Sequence, residues 1–205
     1  MGVAKSYFIS PAYAFVAYPN RDSVPFKEWY NIPEAETVVR GTLRYQGFPE
    51  FIKALVDLGW LDATVKEWLN GDLTWAEVTQ KAIGASSASE TCVTEIRIHR
   101  VEILKTYSDL VGRIKEVAKF PDELEAGRII SGFRWIGFFS SEKVQPRAGN
   151  LLDTLCARLE GLMKYETGER DLVMLQHKFV VEWQDGKTVR SVRLSADNNI
   201  ILIRV

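Results

Sequence analysis

This chain of 205 residues has little cysteine and little histidine: Cys92 and Cys156, His99 and His177. No C-x-x-C pair occurs, and four such scattered residues assemble no zinc spacing, so neither a metal site nor a disulfide framework is expected. A reducing compartment is the simplest reading. Charge of one sign is also lacking. Its 26 Lys and Arg nearly offset 27 Asp and Glu, leaving a formal net charge of -1. With no global basic field, neither nucleic acid nor an anionic membrane is an expected partner. No apolar run approaches the ~20 residues needed to span a bilayer, and the start has no basic-then-apolar leader. Asn-x-Ser/Thr sequons are absent. Met1-Gly2-Val3-Ala4-Lys5-Ser6 fits the myristoylation pattern, but that pattern is short and recurs by chance. A cytoplasmic protein is expected. The 14 glycines never form G-x-G-x-x-G, and neither a Walker loop nor a G-x-S-x-G elbow occurs. No cofactor-binding or catalytic residue can therefore be assigned from motifs.

What is present describes a folded chain. Hydrophobic residues make up 46% and charged residues 26%, values that support a core rather than disorder. Tyr7 to Tyr18 reads as one or two strands interrupted by Pro11. Pro19-Asn20-Arg21-Asp22-Ser23 reads as a turn, and Val24 to Tyr30 as a short helix. Glu36 to Gln46 has the strand signature, closed by Gly47 and Pro49. Phe51, Ile52, Leu55, Val56 and Leu58 have the spacing of an amphipathic helix stopped by Gly59. Thr74 with Glu77 forms a capping box. Cys92 to Lys119 is expected to be a long polar helix or helical pair, broken at Gly112. Helices are expected from Asp122 to about Trp135 and from Asn150 to Met163. In the second, Leu151, Leu152, Leu155, Leu159 and Leu162 form a core stripe. Strand composition returns from Arg170 to Trp183. There Gln184-Asp185-Gly186-Lys187 predicts a hairpin with a type I′ turn onto Thr188 to Leu194. Asn198-Asn199 is a second turn leading into Ile200 to Val205. The expected fold is α+β, a mixed and largely antiparallel sheet packed with helices and lacking a Rossmann domain. It would form one domain over 1–205, with a helical excursion at about 62–120 and an atypical tail at 195–205.

The most informative stretch is Arg40-Gly41-Thr42-Leu43-Arg44-Tyr45. In a strand, Arg40, Thr42 and Arg44 share one face, with the arginines about 13 Å apart at ~3.3 Å per residue. Such guanidiniums can hold two carboxylates of one elongated ligand, each by a bidentate fork, with Thr42 between them. Alternatively, both pair with protein acids on a solvated face. The Asn20-Arg21 turn can present polar groups to the same ligand or simply be a stable bend. His177, in an apolar strand, reads as a packing residue rather than a base.

These stretches carry a resemblance. Ala17-Tyr18-Pro19-Asn20-Arg21-Asp22-Ser23, the run IPEAETVVRGTLRYQGFPEFIKALVDLGWL at 32–61, Ile130-Ser131-Gly132-Phe133, LDTLCARLEGLMKYE at 152–166 and ERDLVMLQHKF at 169–179 resemble the fungal saccharopine reductase family. Cys92 to Lys119 matches poorly, and the tail from Ser195 has no place in the pattern. The family comprises NADP-dependent, glutamate-forming enzymes of the aminoadipate route to lysine. The resemblance implies that this chain is the substrate-binding and dimerisation domain, without the Rossmann domain that carries NADP. It implies a homodimer and a dicarboxylic amino acid ligand, saccharopine or glutamate. It also implies substrate contacts at Asn20, Arg21, Arg40, Thr42, Arg44 and Tyr45, with no redox turnover by the chain alone. A lectin-like or effector protein that reuses the domain is the alternative.

Overall fold

β-Branched and aromatic residues near the N-terminus build the first sheet. β1 (Lys5–Tyr7), β2 (Phe15–Pro19) and β3 (Gly41–Tyr45) pair antiparallel in the order β1-β2-β3. The computed structural model describes residues 4–69, 71–90, 93–98, 102–107, 109–169 and 173–196. α1 (Phe26–Trp29) lies between β2 and β3. Five further helices follow: α2 (Phe48–Asp57), α3 (Trp75–Ile83), α4 (Leu110–Ala118), α5 (Glu123–Ile136) and α6 (Leu151–Met163). The fold is α+β, and the strands of the described residues are distributed over three small antiparallel sheets.

Helix ends follow local chemistry. Thr74 and Glu77 form the expected reciprocal box, with the Thr74 N–H donating to Glu77 Oε2 at 2.7 Å and the Glu77 N–H to Thr74 Oγ1 at 3.3 Å. The Thr74 N–H and the Thr74 hydroxyl, both donating to Oε2, hold the Glu77 carboxyl below its usual range. Asp122 caps α5 by accepting the Glu125 N–H at 2.8 Å. Leu58 closes α2, and Gly59 follows it.

Two expectations change. Where a long helix was expected, β4 (Val93–Ile98) and β5 (Glu102–Tyr107) form an antiparallel hairpin, and α4 starts only after Asp109. The β-branched content of Val93-Thr94-Glu95-Ile96-Arg97-Ile98 outweighs the polar, helix-like character of the segment. Gly112 lies inside α4, where its N–H donates to the Asp109 carboxylate at the cap, so no break occurs there. β3 is also shorter than expected, because the strand begins only at Gly41.

The chain divides into two compact units, Met1–Leu159 and Glu160–Val205. In the first, the core sits among the helices. Trp75, Trp60, Phe138 and Phe133 stack in sequence, with successive centroids 5.8, 4.2 and 5.1 Å apart. Leu55, Val78, Ile114, Ile129, Leu151 and Leu155 pack around them. The leucine stripe of α6 is thus core at its start, while Leu162 is exposed. In the second unit β6 (Met174–Glu182) and β7 (Thr188–Ala196) form the expected hairpin, with exposed His177 stacked on Phe179 at 6.4 Å. Its turn differs in type. Only Gly186, at φ 80°, has positive φ there, whereas a type I′ turn needs two such residues. The Gly186 N–H closes a tight turn onto Trp183 O at 2.9 Å, leaving glycine as the left-handed residue of a three-residue loop. The Asn198-Asn199 turn and the tail beyond it lie outside the described residues.

Candidate ligand-binding face

The β2–β3 ladder determines which side chains meet. Phe15 faces Tyr45, Val16 faces Arg44, Ala17 faces Leu43, Tyr18 faces Thr42 and Pro19 faces Gly41. The pairing continues at both ends, where the Asn20 N–H donates to Arg40 O and the Gln46 N–H to Ala14 O, each at 2.9 Å. Because side chains alternate along an extended strand, Asn20, Tyr18 and Val16 share one face with Arg40, Thr42 and Arg44. Four of the six expected site residues therefore come together. Tyr45 falls on the opposite face, its ring 5.2 Å from Phe15, which in turn stacks on Tyr13 at 5.4 Å. Arg21 sits in the turn beyond the ladder, in the left-handed region at φ 56°.

The turn is fixed onto the strand. Ser23 is buried, and its Oγ accepts the Arg40 N–H at 2.9 Å. Both backbone polar groups of Arg40 are thus taken up by 20–23. Asp22 Oδ1 accepts the Val24 N–H at 3.0 Å and closes the bend. The Arg40 guanidinium then lies 3.9 Å above the Phe26 ring of α1. Stacking on a ring face holds a guanidinium without consuming its N–H donors. Arg44 spends one donor on Leu43 O at 2.8 Å and lies 5.5 Å over Phe48.

The alternative of pairing with protein acids is not what the structure has. Among the described residues, Arg21, Arg40 and Arg44 make no ion pair. Other arginines of the chain do: Arg128 forks onto Glu125 at 2.9 and 2.6 Å, and Arg158 reaches Glu142 at 2.9 Å. The β2–β3 face is therefore a row of exposed cations with open forks, suited to carboxylates. Ser23 and Phe26 hold Arg40 in place, and the sequence alone does not single them out for that. By its sequence Ser23 is a turn or capping residue, and no local pattern places a phenylalanine beneath an arginine 14 positions later. Among the described residues no group of three or more His, Cys, Asp or Glu could hold a metal, and no helix is long and apolar enough to cross a membrane.

Residues 1–200 match the saccharopine dehydrogenase C-terminal domain. A relative from Schizosaccharomyces pombe, "Saccharopine dehydrogenase [NADP(+), L-glutamate-forming]", is 54% identical over 190 residues, 91% of this chain and 38% of its own length. The protein of the same name from Saccharomyces cerevisiae is 53% identical over 188 residues, 92% of this chain and 38% of its own. The solved structure of apo saccharopine dehydrogenase (L-Glu forming) from Saccharomyces cerevisiae has a TM-score of 0.80 and 50% identity, covering 96% of this chain and 40% of that one. The chain thus spans about two fifths of the length of these relatives. On these matches, the chain belongs to the saccharopine dehydrogenase C-terminal domain family.

Proposed function

We propose that the β2–β3 face binds an elongated amino acid with several carboxylates, saccharopine first and glutamate as its shorter fragment. The observation that supports this most is the row of arginines without protein acids. Arg40 and Arg44, about 13 Å apart along the strand, each hold one terminal carboxylate by a fork. Thr42 contributes a hydroxyl between them. Asn20 and Arg21 close the end of the face from the turn. Tyr45 acts from behind, its ring tilted against Phe15 to keep the strand in place. The relatives are named for a glutamate-forming reaction with NADP(+). For this chain the proposal is binding of the amino acid, with NADP held by a nucleotide domain of the longer family members, because the sequence contains no G-x-G-x-x-G. A cytoplasmic homodimer completes the proposal.

Isothermal titration of the purified chain with saccharopine tests it. Binding is expected, and Arg44→Ala weakens it about 10- to 100-fold, the usual weight of a charge-assisted fork. No heat with saccharopine or glutamate overturns the reading. An NADPH-oxidation assay on the same sample is expected to show no turnover.

A further inference from the structure

The ladder places one more residue at the centre of the ligand face. Asn20–Arg40 and Ala14–Gln46 are hydrogen-bonded pairs, and pair types alternate along an antiparallel ladder. Tyr18–Thr42 and Val16–Arg44, two and four steps along, are therefore pairs of the same kind. Tyr18 stands directly across from Thr42 and diagonally between Arg40 and Arg44. Opposite Cβ atoms in such a ladder lie about 5 Å apart and diagonal neighbours about 7–8 Å apart. Tyr18 is half-buried, and its hydroxyl has no hydrogen-bond partner among the described residues. A phenol held against a sheet ordinarily finds a partner for its hydroxyl. The polar groups that share this face are Asn20, Thr42 and the guanidiniums, and the guanidiniums only donate.

We propose that Tyr18 sets the length selectivity of this face, and the proposal rests on the ligand reading above. A ligand stretched between the two arginines passes over Tyr18 at its middle. In saccharopine the middle is a run of methylenes ending at the amine that joins the two halves. The ring covers the methylenes, and the hydroxyl bonds the amine. Glutamate is too short to bridge both arginines, so it sits at one end and gains nothing from Tyr18.

The test is isothermal titration of the full chain, as parent, Tyr18→Phe, Tyr18→Ala and Arg44→Ala, with saccharopine and with L-glutamate. Tyr18→Phe is expected to bind saccharopine about tenfold more weakly, the weight of one hydrogen bond to a charged group, and Tyr18→Ala more weakly still. Glutamate affinity is expected to stay within about twofold, as that amine lies beyond its reach. Tyr18→Phe should melt as the parent does, because the hydroxyl has no partner among the described residues to lose. Should Tyr18→Ala fail to fold, Tyr18→Phe decides alone. Parent-like saccharopine binding by Tyr18→Phe, or an equal loss for both ligands, overturns the assignment. If Arg44→Ala still loses saccharopine in that case, only the role of Tyr18 falls. If the parent binds neither ligand, the ligand face falls and Tyr18 with it.

Discussion

Arg128 Nη2 donates to the carbonyl oxygen of Gly47 at 3.0 Å, and the Arg128 guanidinium occupies the space where a side chain on Gly47 would start. Gly47 is the joint between β3 and α2, so this contact ties the arginine strand to α5. Arg128 is held in turn by its fork onto Glu125, which raises the guanidinium above its usual range.

Gly47→Ala is expected to destabilise the chain. Its φ of 92° lies in a region that side chains rarely adopt, and the new Cβ would lie 2.6 Å from Arg128 Nη1. The backbone penalty is about 1–2 kcal/mol, with the displacement of Arg128 added to it. Chemical denaturation measures the loss, and a parent-like midpoint contradicts the argument.

Phe138→Ala should cost about 3–5 kcal/mol, because it removes the middle ring of the stack between Trp60 and Phe133. Thr79→Val should cost about 1 kcal/mol, since Thr79 Oγ1 donates to Phe138 O at 3.0 Å inside the core. Thermal melts of the two variants rank the two effects.

Thr74→Ala removes the acceptor for the Glu77 N–H at the start of α3 and should cost about 1 kcal/mol. Thr74→Ser keeps the hydroxyl and should recover most of the loss in the same denaturation series.

Acid should release a specific contribution from Asp62. Lys66 Nζ at 2.6 Å and the Thr64 N–H at 2.8 Å hold its carboxyl down at about 2. An unfolded aspartate titrates near ~3.9. The folded value is the lower one, so the stabilisation is complete above about pH 4 and is lost as the pH falls to about 2. Asp62→Asn should therefore be less stable than the parent at neutral pH, with the gap closing near pH 2. Urea midpoints across that range check it, and a constant gap contradicts the assignment.

The sequence by itself determined what local chemistry controls. Thr74 and Glu77, Asp122, and Asp185-Gly186 each name a cap or a turn, because their partners lie within a few residues. The alternation of Arg40, Thr42 and Arg44 was legible for the same reason, since a strand's period is local. Tertiary structure alone decided which chain lies opposite that strand. Only the register brings Tyr18 across from Thr42, and only the tertiary fold sets Ser23 and Phe26 against Arg40. These outcomes rest on contacts between residues distant in the chain, where pairing and burial outweigh the preference of any single segment.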